Sequence, residues 1–99
     1  EMLGGKWKVM ILFRINVGIN RFIKIEESID GISKNILTRN LREMERHNLI
    51  ERKLLEDGTN IVIYKLTNIG VKLIPVYKEL SIWFFENFDQ KNVKYIFKN

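Results

Sequence analysis

The chain has 99 residues, no cysteine, and 17 lysines and arginines against 12 aspartates and glutamates, which gives a formal net charge of +5. The length favours one domain over residues 1–99 with little area for a deep active site, and the lack of cysteine excludes disulfides and thiolate metal sites within these residues. The charge suits a polyanionic partner, whereas no apolar run approaches the roughly 20 residues of a membrane span, so we expect a cytoplasmic protein without a membrane partner.

Two helices are predicted in the first third of the chain. Apolar residues recur at helical spacing across residues 6–17, which predicts the first helix. Residues 19–25 fit either a short edge strand or a helix, and we predict a strand or turn near Asn20 followed by a helix to about Ile29. The Asp30-Gly31 dipeptide then provides the turn of a helix-turn-helix pair.

A basic amphipathic helix is predicted at about residues 33–48. Ser33 is a suitable N-cap, because its hydroxyl can accept a hydrogen bond from a free amide of the first turn. Leu37, Leu41 and Met44 recur at spacings of four and three, so they share one face, which we assign to the core. The opposite side carries basic and amide side chains and no carboxylate: Asn35, Arg39, Arg42 and Arg46, with Lys34 and Thr38 nearer its edge.

This polar face has two interpretations. Arginine and asparagine make bidentate hydrogen bonds to guanine and adenine edges in the major groove, which favours DNA recognition. The alternative is a face that is only solvated, as most charged helix faces are. The hairpin predicted next along the chain favours DNA recognition, since a helix followed by a hairpin is the order of a winged helix.

That hairpin, the wing, is predicted at about residues 50–66. The stretch is rich in Ile, Val, Leu and Tyr, and the Asp-Gly dipeptide at 57–58 can supply the positive φ angles of a tight turn. Side chains alternate between the two faces of a strand, and we assign the face that holds Tyr64 and Leu66 to the core.

The remaining hairpin side chains leave two interpretations open. Arg52, Lys53 and Lys65 give the wing a positive charge that can bind a polyanion, but basic residues also protect sheet edges against aggregation. Ile61 and Ile63 are expected to be partly exposed. They are therefore available to a protein partner or to none.

A long helix is predicted at about residues 68–88, with Thr67 as its N-cap. Pro75 lies inside it, and the missing amide predicts a kink or a break near Ile74. We interpret its aromatic cluster as a dimer core rather than a ligand pocket or a membrane-facing patch, because so short a chain has little interior to cover it. The cluster consists of Trp83, Phe84, Phe85 and Phe88. Residues 89–99 are predicted to form a short helix or strand. The apolar side of the long helix holds Leu73, Val76, Tyr77, Leu80, Trp83 and Phe84.

Catalytic interpretations find little support in the residues. His47 is the single histidine and is expected to be a capping or surface group. Glu26 and Glu27 are adjacent only in sequence, and neighbours one apart on a helix do not face each other. The Gly4-Gly5-Lys6 segment lacks the spacing of a phosphate-binding loop. We therefore expect no enzyme, no cofactor and no metal.

Short landmark segments occur in order between residues 4 and 83. They are Gly4-Gly5-Lys6-Trp7, Arg21-Phe22, Gly31-Ile32-Ser33, Leu37-Thr38, Leu41-Arg42-Glu43-Met44-Glu45, Leu49-Ile50, Tyr64-Lys65-Leu66-Thr67, Gly70 and Trp83. In this order and spacing the chain resembles the HxlR-type winged helix-turn-helix transcriptional regulators. The resemblance implies an α+β, mostly helical fold with a two- or three-stranded antiparallel wing. It also implies a homodimer on double-stranded DNA, paired through the N-terminal helices and the long helix after the wing.

These interpretations define three sets of candidate residues. Base or near-base contacts are expected from Asn35, Thr38, Arg39 and Arg42, with Arg39 first for guanine. Phosphate contacts are expected from Ser33, Lys34, Arg46, Arg52, Lys53, Thr59 and Asn60. The dimer interface is expected to include Trp7, Tyr77, Leu80, Trp83, Phe84 and Phe88.

The chain departs from the family pattern in two places. Members often carry a proline in the wing, where this chain has residues 55–60 without one, so wing contacts are not transferred residue by residue. Many also have a cysteine ahead of the Gly-Gly-Lys-Trp segment, and a thiol-sensing role has no support in the residues given. The competing hypothesis is a winged helix that binds another polypeptide and not a specific DNA sequence.

Overall fold

The apolar residues recur at the spacings of four helices and one two-stranded sheet, and a computed structural model contains these elements. The structure describes residues 5–87. The predicted α+β, mostly helical winged-helix class is confirmed. Phe88 and the segment 89–99 lie outside the described residues. The elements are α1 (Lys6–Asn16), α2 (Phe22–Ser28), α3 (Lys34–Arg46), β1 (Ile50–Leu54), β2 (Val62–Leu66) and α4 (Asn68–Asn87).

Helix α1 is the centre of the core. It contacts α2, α3, α4 and β2, and its Ile11 and Leu12 are almost completely buried. The predicted apolar face of α3 packs against α1, and its residues Leu37, Leu41 and Met44 are at most 2% exposed. Burial of each such side chain contributes about 1.5–3 kcal/mol. This packing fixes the orientation of α3 and turns its other side to solvent.

The segment between α1 and α2 is a turn that touches the sheet. The carbonyl of Asn20 accepts a hydrogen bond from the amide of Tyr64 at 2.8 Å, which attaches this turn to β2. Helix α2 then begins at Phe22 and ends at Ser28. The predicted strand or turn is thus a turn, and the sheet has two strands within the described residues.

The wing pairs as predicted but closes differently. Strands β1 and β2 are antiparallel from Ile50 opposite Leu66 to Leu54 opposite Val62, and Tyr64 is buried. The predicted tight Asp-Gly turn is wrong, because residues 55–61 form a longer loop in which the amide of Leu55 donates to the carbonyl of Ile61.

An Asx turn explains the different loop. The Asp57 carboxylate accepts hydrogen bonds from the Thr59 amide at 3.1 Å and from its hydroxyl at 2.6 Å. Gly58 and Asn60 have positive φ angles, 84° and 59°, whereas Asp57 does not. The loop is therefore stabilised by hydrogen bonds to the Asp57 side chain, and Asp57 does not adopt the positive φ angle that a two-residue turn would need.

Helix α4 is continuous through Pro75, so of the kink or break predicted near Ile74 the break does not occur. The proline removes the hydrogen bond to the carbonyl of Val71, a residue that is 51% exposed. The N-cap prediction is confirmed, since the Thr67 hydroxyl accepts a hydrogen bond from the Gly70 amide at 3.0 Å.

Candidate nucleic-acid interface

Helix α3 starts where its cap was predicted. Ser33 has an extended backbone, and its hydroxyl accepts a hydrogen bond from the Ile36 amide at 3.1 Å. The helix ends at Arg46, slightly earlier than predicted, with His47 as its C-cap and Asn48 in the left-handed region. The helix is thus defined at both ends by local hydrogen bonding and backbone geometry.

The face of α3 that points away from the core is basic. Asn35, Arg39, Arg42 and Arg46 are exposed there, and Thr38 is half-buried at its edge. Within residues 5–87, none of the three arginines forms an ion pair with a carboxylate. Their guanidinium groups are therefore available to an external anion.

Lys34 connects the two helices of the helix-turn-helix pair. Its ammonium group donates a hydrogen bond to Glu26 of α2 at 3.0 Å, and the lysine side chain is 71% exposed. A pair this exposed contributes little to stability. Lys34 can therefore exchange Glu26 for a phosphate at small cost.

Two polar residues beneath the basic face were missed by the sequence interpretation. Asn40 is buried and donates to the carbonyl of Ile36 at 2.8 Å. Lys8 of α1 is also buried, and its ammonium group lies 2.7 Å from Glu43 of α3. Only the packing of α1 on α3 brings Lys8 to Glu43, so local sequence held no signal for the pair.

The candidate residues of the wing are all exposed. Arg52 lies opposite Tyr64 and Lys53 opposite Ile63 in the register of the sheet. Because successive strand residues point to opposite faces, Arg52 and Lys53 leave the sheet on different sides. Thr59 and Asn60 lie in the loop between the strands, at the tip of the wing.

The wing loop should be sensitive to acid. Hydrogen bonds from the hydroxyl and amide of Thr59 hold the pKa of Asp57 below its ordinary value of 3.8. A depressed pKa stabilises the folded loop above the unfolded pKa, and that contribution is lost as the pH falls through the folded value. We expect the Thr59 amide resonance to be constant at neutral pH and to shift below about pH 4.

NMR spectroscopy of the wild type and Asp57→Asn checks this prediction. The variant should show no such titration of the Thr59 amide, because its side chain carries no ionisable group. An identical titration in both proteins would assign the transition to another carboxylate.

The candidate dimer residues divide into two groups. Leu80 and Trp83 are 51% and 52% exposed on α4, whereas Trp7 and Phe84 are half-buried. Tyr77 is only 7% exposed, because it lies on the side of α4 that packs into the core of its own subunit. The structure therefore places Tyr77 apart from the exposed apolar side chains with which it was grouped.

Other kinds of site have few of the required groups. No three His, Asp or Glu side chains among residues 5–87 are placed to hold a metal ion together. In the same part of the chain, no helix combines the length and apolar character needed to cross a membrane.

The capped basic helix, the helix before it and the antiparallel wing define a winged helix-turn-helix transcriptional regulator. A model of the HxlR-like helix-turn-helix family matches residues 2–92, and the chain belongs to that family. The predicted resemblance is thereby confirmed.

Two relatives of similar sequence are described as HTH-type transcriptional regulators. The HTH-type transcriptional regulator YodB of Bacillus subtilis is 35% identical over 83 residues, which cover 84% of this chain and 74% of YodB. An uncharacterized HTH-type transcriptional regulator of Methanothermobacter thermautotrophicus is 38% identical over 81 residues, which cover 82% of this chain and 62% of the relative.

Solved structures show the same architecture. The reduced form of YodB from B. subtilis superimposes with a TM-score of 0.80 at 34% identity, covering 87% of this chain and 84% of the other. The redox regulator HypR in its reduced form gives a TM-score of 0.76 at 29% identity, covering 87% and 85%. This likeness extends over the helices and the wing.

Proposed function

We propose that the protein is a homodimeric, sequence-specific DNA-binding regulator that recognises a pseudo-palindromic operator through α3. The observation that carries the proposal is the exposed face of α3, where Arg39, Arg42 and Arg46 stand beside Asn35 without a carboxylate partner in the described part of the chain. Exposed arginine and asparagine side chains on a rigid, capped helix match the donor and acceptor pattern of base edges.

The polar side chains of α3 and of the wing have two different tasks. Recognition helices present their N-terminal residues to the bases, so Asn35, Thr38, Arg39 and Arg42 make the base or near-base contacts. Phosphate contacts position the protein without recognising sequence, and they come from the helix flanks and the wing. The phosphate set is Ser33, Lys34, Arg46, Arg52, Lys53, Thr59 and Asn60.

The apolar surface of α4 supports a dimer. Ile69, Val76, Leu80 and Trp83 are each more than 50% exposed and share one side of the helix. A contiguous apolar surface of this kind indicates a protein interface. A second copy of the chain covers this apolar surface, with Trp7 at the edge of the interface. The two α3 helices of the dimer then bind two half-sites of the operator, about 34 Å or a multiple of that distance apart.

Fluorescence anisotropy tests the DNA proposal. The wild type is titrated onto DNA from the region upstream of its own gene and onto random DNA, at about 50 and 200 mM salt. We expect binding to both at low salt and a preference for the upstream DNA at high salt. No binding at low salt would contradict the proposal, because an unpaired arginine face should hold even non-specific DNA.

That failure would favour the second candidate, a winged helix that binds a polypeptide. The observation in its favour is the apolar side chains of the wing, since Leu54 is 57% exposed and Ile61 and Ile63 are only half-buried. An exposed strand edge can pair with an added strand.

Sedimentation analysis of Leu80→Asp tests the dimer. The wild type should sediment as a dimer and the variant as a monomer, because a carboxylate in an apolar interface loses its hydration. Val71→Asp is the matched control: Val71 is also 51% exposed but lies nine residues away, on the opposite side of α4. Equal effects of the two substitutions would contradict an interface on the Leu80 side.

A further inference from the structure

One ion pair joins the core helix to the helix proposed to enter the groove. The ammonium group of Lys8 in α1 lies 2.7 Å from a carboxylate oxygen of Glu43 in α3. The Lys8 side chain is 10% exposed and that of Glu43 is 31% exposed, so the lysine side of the contact is shielded from water. Screening by salt is therefore weaker here than at the open surface.

Glu43 is close in sequence to the arginines that are proposed to bind DNA. It follows Arg39 by four residues and precedes Arg46 by three, and both spacings bring side chains together on a helix. A carboxylate at this position can form an ion pair with either arginine. In the structure it lies against Lys8 instead.

The protonation of Glu43 fits this arrangement. The hydrogen bond and the charge of Lys8 lower its pKa, and Arg46 lowers it further by a smaller amount. The carboxylate is therefore ionised at neutral pH, and a charged group beside Arg39 and Arg46 must be held in place to leave them available.

We propose that Lys8 is a positioning residue for DNA binding, which holds the Glu43 carboxylate against α1 and so leaves Arg39 and Arg46 available to DNA. The inference rests on the proposed function of α3 and adds to it a residue outside the DNA-facing surface. Without Lys8, the carboxylate turns to the arginines, cancels part of their charge and repels nearby phosphates.

A purely structural role makes a different prediction. If Lys8 and Glu43 only tie α1 to α3, then losing either partner alone weakens the tie, so Glu43→Gln should weaken DNA binding as Lys8→Met does. If Lys8 restrains a harmful carboxylate, then removing that carboxylate as well restores DNA binding. The single variant Glu43→Gln therefore separates the two roles, and the double variant shows whether removing the carboxylate rescues Lys8→Met.

The experiment compares the wild type with Lys8→Met, Glu43→Gln and the double variant on one specific DNA over a range of salt concentrations. Methionine keeps most of the apolar stem of lysine and removes the charge, and glutamine keeps the shape of glutamate. We expect Lys8→Met to weaken binding about three- to tenfold and to flatten the salt slope by about one phosphate contact. Glu43→Gln and the double variant should bind at least as tightly as the wild type.

Each other outcome overturns the inference. Wild-type affinity in Lys8→Met would show that the ion pair has no effect on DNA binding, and weak binding by the double variant would assign the pair a structural role. If Lys8→Met does not fold, weak binding by Glu43→Gln alone leads to the same rejection. Failure of the wild type to bind DNA would instead reject the proposed function, so the two failures are distinguishable.

Discussion

Replacing Arg39 with alanine should weaken binding to the operator by about 1–3 kcal/mol, roughly 5- to 150-fold. Arg39 is exposed on the middle of the α3 face, opposite the buried Leu37 and Leu41, where a guanidinium can form two parallel hydrogen bonds to a guanine. Alanine leaves that base edge unpaired. The variant should therefore also lose its preference at one base pair of each half-site.

Selection from a random DNA pool, followed by affinity measurements on single-base variants, checks this expectation. Lys53→Ala is the matched control, because Lys53 is also exposed and basic but lies on the wing. It should weaken all sequences alike and reduce the salt slope by about 1. Equal losses on operator and random DNA for Arg39→Ala would remove it from the base contacts and place it among the phosphate contacts.

Local sequence was sufficient for the features that local physics controls. The Ser33 cap and the spacing of Leu37, Leu41 and Met44 predicted both the start and the buried face of α3, because capping and helical period act within a few residues. The same holds for Tyr64 as the buried member of its strand. The orientation of the basic face followed from these predictions alone.

Features that depend on packing between distant elements were not predictable in this way. The partner of Glu43 is Lys8, 35 positions earlier in the chain, and the burial of Tyr77 depends on which side of α4 meets the core. Pro75 broke no helix, and Val71, whose carbonyl it deprives of a partner, is 51% exposed. In each case the outcome was set by what surrounds the residue in the fold, and local propensity does not contain that information.

The contact between α4 and the turn that follows α3 depends on a residue with no side chain, and Gly70→Ala should disrupt it. A Cβ on Gly70 would overlap the carbonyl oxygen of Leu49 and lie 3.2 Å from its carbonyl carbon. That carbonyl cannot move freely, since it accepts a hydrogen bond from the Thr67 amide at 3.1 Å. The Thr67 hydroxyl also lies 3.1 Å from it and donates its shorter hydrogen bond, of 2.7 Å, to the neighbouring carbonyl of Asn48. The clash is therefore with backbone that is held in place by a hydrogen bond.

Two effects of opposite sign compete in this substitution. Alanine has a helix propensity about 1 kcal/mol better than glycine, so at an open position of α4 the change would stabilise the protein. At Gly70 the overpacking should dominate, and we expect the free energy of unfolding to fall by about 1–3 kcal/mol. Because Leu49 directly follows the turn at the end of α3, DNA affinity should fall as well.

Urea unfolding of Gly70→Ala and of Lys72→Ala measures the stability change. Lys72 is exposed on the same turn of α4, so its replacement should change the free energy of unfolding by less than about 0.5 kcal/mol. A Gly70→Ala protein more stable than the wild type would mean that Leu49 can move away from Thr67 to make room for the methyl group without a loss of stability. The close contact would then be incidental, whereas a loss of both stability and DNA affinity would mean that it positions the turn at the end of α3 against α4.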